Sequence, residues 1–170
     1  CMNCRQADHV FISNTSVLEY IGTAKELIYQ YKFKGNKQLA VFFATLVYCI
    51  YISAYNDHVC VPVPSSLKKR KRRGWDPVHA ISKTLKNVYG LPVVSLLKKE
   101  DTVDQKKLSY TQRQNNLKNK IHVKKGSINI PRKVVLIDDV YTTGSTISEC
   151  AAVLYMIGVQ YVNSITVAQD

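Results

Sequence analysis

The chain is expected to be an α/β protein, an open and mainly parallel sheet flanked by helices, with a small N-terminal appendage. Three observations predict this. Short β-branched runs alternate with segments of helical periodicity along most of the length. The run Val134-Val135-Leu136-Ile137 is continuously apolar, as expected for a central parallel strand covered on both faces. Three loops, residues 63–74, 98–116 and 138–146, fit the place where open sheets hold ligands, beyond the carboxyl ends of their strands.

The elements follow in order. Residues 1–9 stand apart from a single domain over residues 10–170. Cys1 and Cys4 are spaced for a zinc site, yet tetrahedral zinc needs four ligands. They read either as half of such a site or as two ordinary cysteines, with His9 a poor third ligand on spacing. Residues 10–20 read as extended pieces broken at Ser13-Asn14-Thr15, a hairpin turn. Thr23 and Glu26 have capping-box spacing ahead of a helix that carries Leu27, Ile28 and Tyr31 on one face and stops near Gly35. A second helix over residues 37–53 is apolar nearly all round, which predicts packing on several sides.

A short strand over residues 58–63 leads to Ser65, Ser66 and the basic run Lys68-Lys69-Arg70-Lys71-Arg72-Arg73. Asp76 and Pro77 open the next helix, with a side-chain acceptor at the N-cap and proline in the first turn. Val78, Ile81, Leu85 and Val88 recur at helical spacing, and Gly90 closes the segment. Val93-Val94 marks another strand. Residues 98–119 turn polar and charged, as in an active-site loop with a short amphipathic helix. A strand over residues 133–137, a helix over 144–157 and a strand over 161–168 complete the domain.

With 170 residues and 46% apolar content the chain can bury one substantial core. Its 24 basic and 12 acidic side chains give a net charge of +12, which favours anionic partners without choosing among them. The longest apolar run, residues 39–52, holds about fourteen residues, short of the roughly twenty that span a bilayer. No membrane insertion is expected, and with no secretory signal in view the cytoplasm is the expected location.

Chemistry concentrates at Asp138-Asp139-Val140-Tyr141-Thr142-Thr143-Gly144-Ser145-Thr146. Two carboxylates emerge from the end of a buried strand. After them Thr142, Thr143, Gly144, Ser145 and Thr146 offer hydroxyls and backbone N–H groups at a helix start, where the dipole favours a phosphate. Residues 134–146 resemble the phosphoribosyl pyrophosphate (PRPP) motif of type I phosphoribosyltransferases. The resemblance implies that Asp138 and Asp139 face the ribose hydroxyls, in a catalytic position, and that residues 142–146 cradle the 5-phosphate.

It extends to the ComF-like, or GntX-like, branch of that family, named for competence protein F. Val61-Pro62-Val63-Pro64 followed by Arg73-Gly74-Trp75 is similar to the branch's proline-rich strand end and its Arg-Gly-Phe segment. Thr102, Gln105, Leu108, Arg113 and Asn116 match its loop pattern in identity and spacing, and Cys1 and Cys4 would be the remnant of its four-cysteine zinc finger. Asp76-Pro77 departs from the usual Asn-Gln.

The resemblance implies the type I phosphoribosyltransferase fold, Mg²⁺, and Zn²⁺ at the N-terminus. It assigns Pro64, Ser65, Ser66, Arg73, Lys106, Lys107 and Arg113 to the pyrophosphate. Two functions follow. One is phosphoribosyl transfer from PRPP, with inversion, to a nitrogen nucleophile that the sequence does not identify. The other is a non-catalytic PRPP sensor or single-stranded-DNA-binding accessory protein, tied through the family to DNA uptake and to competence or DNA-processing proteins. For the latter, Lys68, Lys69, Arg70, Lys71, Arg72 and Trp75 would form a cationic patch with an aromatic platform.

Overall fold

A computed structural model describes residues 10–100, 120–124, 126 and 129–170. Its elements are β1 (Asn14–Glu19), α1 (Gly22–Phe33), α2 (Leu39–Ala54), β2 (Val59–Pro62), α3 (Leu67–Arg73), α4 (Pro77–Asn87), β3 (Leu97–Lys99), β4 (Ile121–Val123), β5 (Lys133–Tyr141), α5 (Ser145–Met156) and β6 (Tyr161–Gln169). The main sheet has the order β1-β6-β5-β2 with every pair parallel, while β3 and β4 form a separate antiparallel pair. This is the expected open α/β sheet flanked by helices.

The pleat of the central strands builds two cores. Val135 and Ile137 of β5, with Ile165 and Val167 of β6, join α1, α2 and α4 on one face. Val134, Leu136 and Val162 point the other way, toward α5 and the β3–β4 pair. Both faces being covered explains why residues 134–137 of β5 form an unbroken apolar run, and why residues 162–168 of β6 are all buried.

The expected hairpin at Ser13-Asn14-Thr15 is absent. Asn14 and Thr15 start β1, which lies parallel to β6 in the register Asn14↔Ser164 and Thr15↔Ile165. Their polarity serves a side-chain ladder: Ser164 Oγ donates to Asn14 Oδ1 at 2.8 Å, and the Ser16 and Thr166 hydroxyls are 2.7 Å apart. Below it Ser13 Oγ donates to Asn163 Oδ1 at 2.8 Å, and Asn163 Nδ2 lies 3.1 Å from His58 Nε2. Asn163→Ala would leave His58 Nε2 without this partner and Ser13 Oγ with only the Tyr55 hydroxyl at 3.4 Å. We expect a loss of about 1–3 kcal/mol in urea unfolding, and no loss would show that this ladder contributes nothing to holding β1.

Two helices also differ from expectation. No capping box starts α1, because the helix begins at Gly22 behind Ile21, whose side chain makes no cap bond, so Thr23 falls inside it. The helix α2 is packed on one face only. Ala40, Phe43, Ala44, Val47 and Tyr51 are buried, whereas Val41, Phe42 and Ile52 are 53%, 44% and 48% exposed. As an outer-layer helix it packs on β1 and β6 beneath it and on α1 and α4 beside it, and its outer face is left open.

Two further segments are corrected. The basic run is a helix, α3, where a loop was expected: Ser66 accepts from the Lys69 N–H at 3.2 Å at its start, and Gly74 ends it at φ 73°. Val93 contributes only a single parallel bridge, to Cys60. The start of α4 is as expected, with Asp76 accepting from the His79 N–H at 3.1 Å and Pro77 in the first turn. Among the described residues no helix is long and apolar enough to cross a membrane.

Candidate functional site

The parallel pairing brings the carboxyl ends of β1, β2, β5 and β6 to one edge. There β2 stops at Pro62, opposite Ile137, while β5 continues to Tyr141 against β6 alone, with Asp138↔Thr166 and Val140↔Ala168 in register. The two acids therefore lie within β5, not beyond it as the sequence suggested. They sit on the stretch whose other edge β2 has vacated, apart from the Val63 N–H, which still donates to the Ile137 carbonyl at 2.9 Å.

Alternation along β5 sends the two carboxylates to opposite faces. Asp139 turns to the α1 face, where Lys32 Nζ meets its Oδ2 at 2.9 Å, the two side chains 14% and 17% exposed. Asp138 turns to the α5 face and accepts the Asp139 N–H at 2.8 Å. Burial, and then the neighbouring Asp139 charge, push the Asp138 carboxyl up to about 7, against the opposing pull of that N–H, Lys32 and Lys99. A carboxyl held near neutrality at a sheet edge is poised to accept from a hydroxyl donor or to exchange a proton.

Directly after β5 the chain turns through Thr142, Thr143 and Gly144 into α5. Gly144 is buried at φ 70°, a left-handed conformation that glycine adopts without strain, and it caps α5 without a side chain. Thr143 and Ser145 hydroxyls lie 3.1 Å apart. Asp138, Val140, Tyr141, Thr142, Gly144 and Ser145 line one small nook with Thr146, so the carboxylate and the helix start face the same space. The first N–H groups of α5 have no acceptors within the helix, as at every helix start.

The β2 end forms a second, wider cleft of about 770 Å³, walled by Pro64, Ser65, Arg70, Asp76, Lys98 and Lys99 among others. Asp76 organises it: its Oδ1 accepts from Ser65 Oγ at 3.2 Å, and Arg70 Nε stands 3.9 Å from its Oδ2. The aspartate that departs from the family pattern thus ties the Pro64-Ser65 turn to α4. Ser66 is spent on capping α3.

Arg73 is placed elsewhere. It lies against the end of α1, its guanidinium 5.0 Å from the Phe33 ring centroid, in a cleft also lined by Lys32 and Arg72. Trp75 is half-buried and packs edge-on against Tyr31, with centroids 4.8 Å apart. Lys68, Lys69, Arg70, Lys71 and Arg72 are exposed along α3. Cys1, Cys4, Lys106, Lys107 and Arg113 lie outside the described residues.

Sequence reasoning did not single out Lys32 or Lys99. A lysine on an amphipathic helix carries no signal of its own. Only its position next to buried Tyr31 places it on the sheet-facing side of α1.

Over nearly its whole length the chain is similar to competence proteins. Competence protein F of Haemophilus influenzae is 29% identical over 169 residues, covering 94% of this chain and 74% of that protein. Competence protein ComFC of Streptococcus pneumoniae is 26% identical over 173 residues, covering 99% and 74%. The chain is ComF-like. ComFC of Bacillus subtilis is 29% identical over 143 residues, 83% of this chain and 57% of that protein. No family model matches the chain. Among solved structures, the hypoxanthine phosphoribosyl transferase of Trypanosoma cruzi overlays with a TM-score of 0.40 at 11% identity, covering 88% of this chain and 68% of that one.

Proposed function

We propose that this ComF-like protein binds PRPP and acts in competence, and that the bound phosphoribosyl group is available for transfer. One observation carries the reading. The partly neutralised carboxylate Asp138 and the N-terminus of α5 line the same nook, so a single ligand carrying both vicinal hydroxyls and a phosphate satisfies both. Its diphosphate would extend toward the cationic cleft at the end of β2, where Arg70, Lys98 and Lys99 supply charge.

Magnesium fits only with such a ligand. Among the described residues no three His, Cys, Asp or Glu side chains converge on a metal position. A hard cation here would take its oxygens mainly from the ribose hydroxyls and diphosphate, with Asp138 the protein carboxylate on that face. When bound it would offset diphosphate charge. In transfer, the acceptor's lone pair forms the bond to C1 as the C1–O bond breaks, and pyrophosphate leaves with the bonding electrons. The acceptor's proton passes to solvent. The protein's own part is to hold ribose and phosphate in line and to neutralise the leaving group.

Calorimetric titration with PRPP and Mg²⁺ tests the binding. We expect saturable heat at sub-millimolar ligand. An acceptor screen scored by pyrophosphate release then separates transfer from sensing. No heat at millimolar PRPP removes both readings.

A further inference from the structure

The cleft between the carboxyl ends of α1 and α3 is separate from the nook beside Asp138 and from the β2 cleft, and it meets the sheet through Lys32, which pairs with Asp139. It measures about 560 Å³, and its walls are Lys32, Phe33, Lys34, Arg72, Arg73 and Trp75 with Gly35, a size suited to a small organic ligand. Four cations line it and no acidic side chain does. Lys32 is offset by Asp139 at 2.9 Å, which leaves Lys34, Arg72 and Arg73 in excess.

Arg73 gives a second, independent sign. Its Nε is buried and has no hydrogen-bond partner among the described residues, while its guanidinium is held over the Phe33 ring. A buried donor without an acceptor costs free energy in the absence of a ligand that accepts from it. Two aromatic side chains, Phe33 and Trp75, bound the same space.

We propose that this cleft binds a planar aromatic ring bearing a carboxylate. The ring lies against Phe33 or Trp75, and the carboxylate accepts from the Arg73 fork, whose planar donors match it in pairs. Lys32, in contact with Asp139, ties the cleft to the α1 face of the sheet, opposite Asp138. The ligand class rests on the cleft alone.

Trp75 is the chain's single tryptophan, so its fluorescence reports this cleft directly. The test titrates the full chain with nicotinate against nicotinamide, and benzoate against benzamide, with Arg73→Gln and Arg73→Lys in parallel and thermal melts to confirm folding. We expect both acids to perturb Trp75 fluorescence and to bind at least about tenfold more tightly than their amides, an advantage reduced in Arg73→Lys and lost in Arg73→Gln. Equal binding of acid and amide, no binding up to about 10 mM, or unchanged acid affinity in folded Arg73→Gln overturns the proposal. So does tighter competition by a short oligothymidylate, which would assign the cleft to nucleic acid.

Calorimetry with PRPP on the same preparation separates the two readings. PRPP binding without acid selectivity overturns the cleft's ligand class alone. Acid selectivity without PRPP binding overturns the phosphoribosyl reading and leaves the cleft's ligand class standing.

Discussion

Lys32→Met is expected to be the most destabilising single change in the site. Lys32 is the side chain that offsets Asp139, which is only 17% exposed and is followed along β5 by no other charge before the loop. Removing the cation leaves a largely buried carboxylate uncompensated beside Asp138. Breaking a buried pair from one side costs about 3–5 kcal/mol, and the slight exposure here puts the expected loss at about 2–4 kcal/mol. For a chain of this size that is a fall of roughly 2–4 °C in melting temperature per kcal/mol. The double variant Lys32→Met/Asp139→Asn removes both charges and should recover most of the loss. If the single and double variants melt together, the ion pair is not what holds α1 to the end of β5.

Asp138→Asn is expected to raise stability, and more so as pH rises. The folded carboxyl is pushed up to about 7 from its ordinary 3.8, so the folded state binds the proton more tightly than the unfolded chain does. The stability it contributes is complete below pH 3.8 and is lost as pH rises through about 7. Asparagine keeps the acceptor for the Asp139 N–H and cannot ionise. In urea unfolding the variant should match the wild type near pH 4 and exceed it by roughly 2–4 kcal/mol at pH 8. An advantage that does not change with pH would assign the effect to packing. A stabilising change at this position also marks it as one where function is set against stability. Ribose hydroxyls donating to Asp138 favour its ionised form, so PRPP binding near pH 7 should release a proton, seen as heat that depends on the buffer.

The central strand could be read in the sequence because burial on both faces leaves its four apolar residues unbroken. The turn into α5 was legible for a related reason, since a glycine between a strand and a helix suits the left-handed conformation that Gly144 adopts. What the sequence hid depends on distant partners. Asp138 and Asp139 look like the end of a strand, yet β6 continues to pair beside them. Ser13-Asn14-Thr15 has turn composition, and only the facing Asn163, Ser164 and Thr166 give that polarity another role. The helix α3 did carry local signals, in the cap at Ser66 and the glycine at Gly74, but its density of charge resembled a solvated loop. Arg73 could be placed near phosphate chemistry by its neighbours in sequence, and only the packing of α3 against α1 turned it toward Phe33.

In the proposed complex the phosphoribosyl group sits between Asp138 and the start of α5. Backbone amide resonances of the ¹⁵N-labelled chain, followed as PRPP and Mg²⁺ are added, test this most directly. The largest shifts are expected on Asp139, Thr142, Thr143, Gly144, Ser145 and Thr146, saturating together. Shifts confined to the basic helix α3, with the Thr142 to Thr146 amides unmoved, would contradict it.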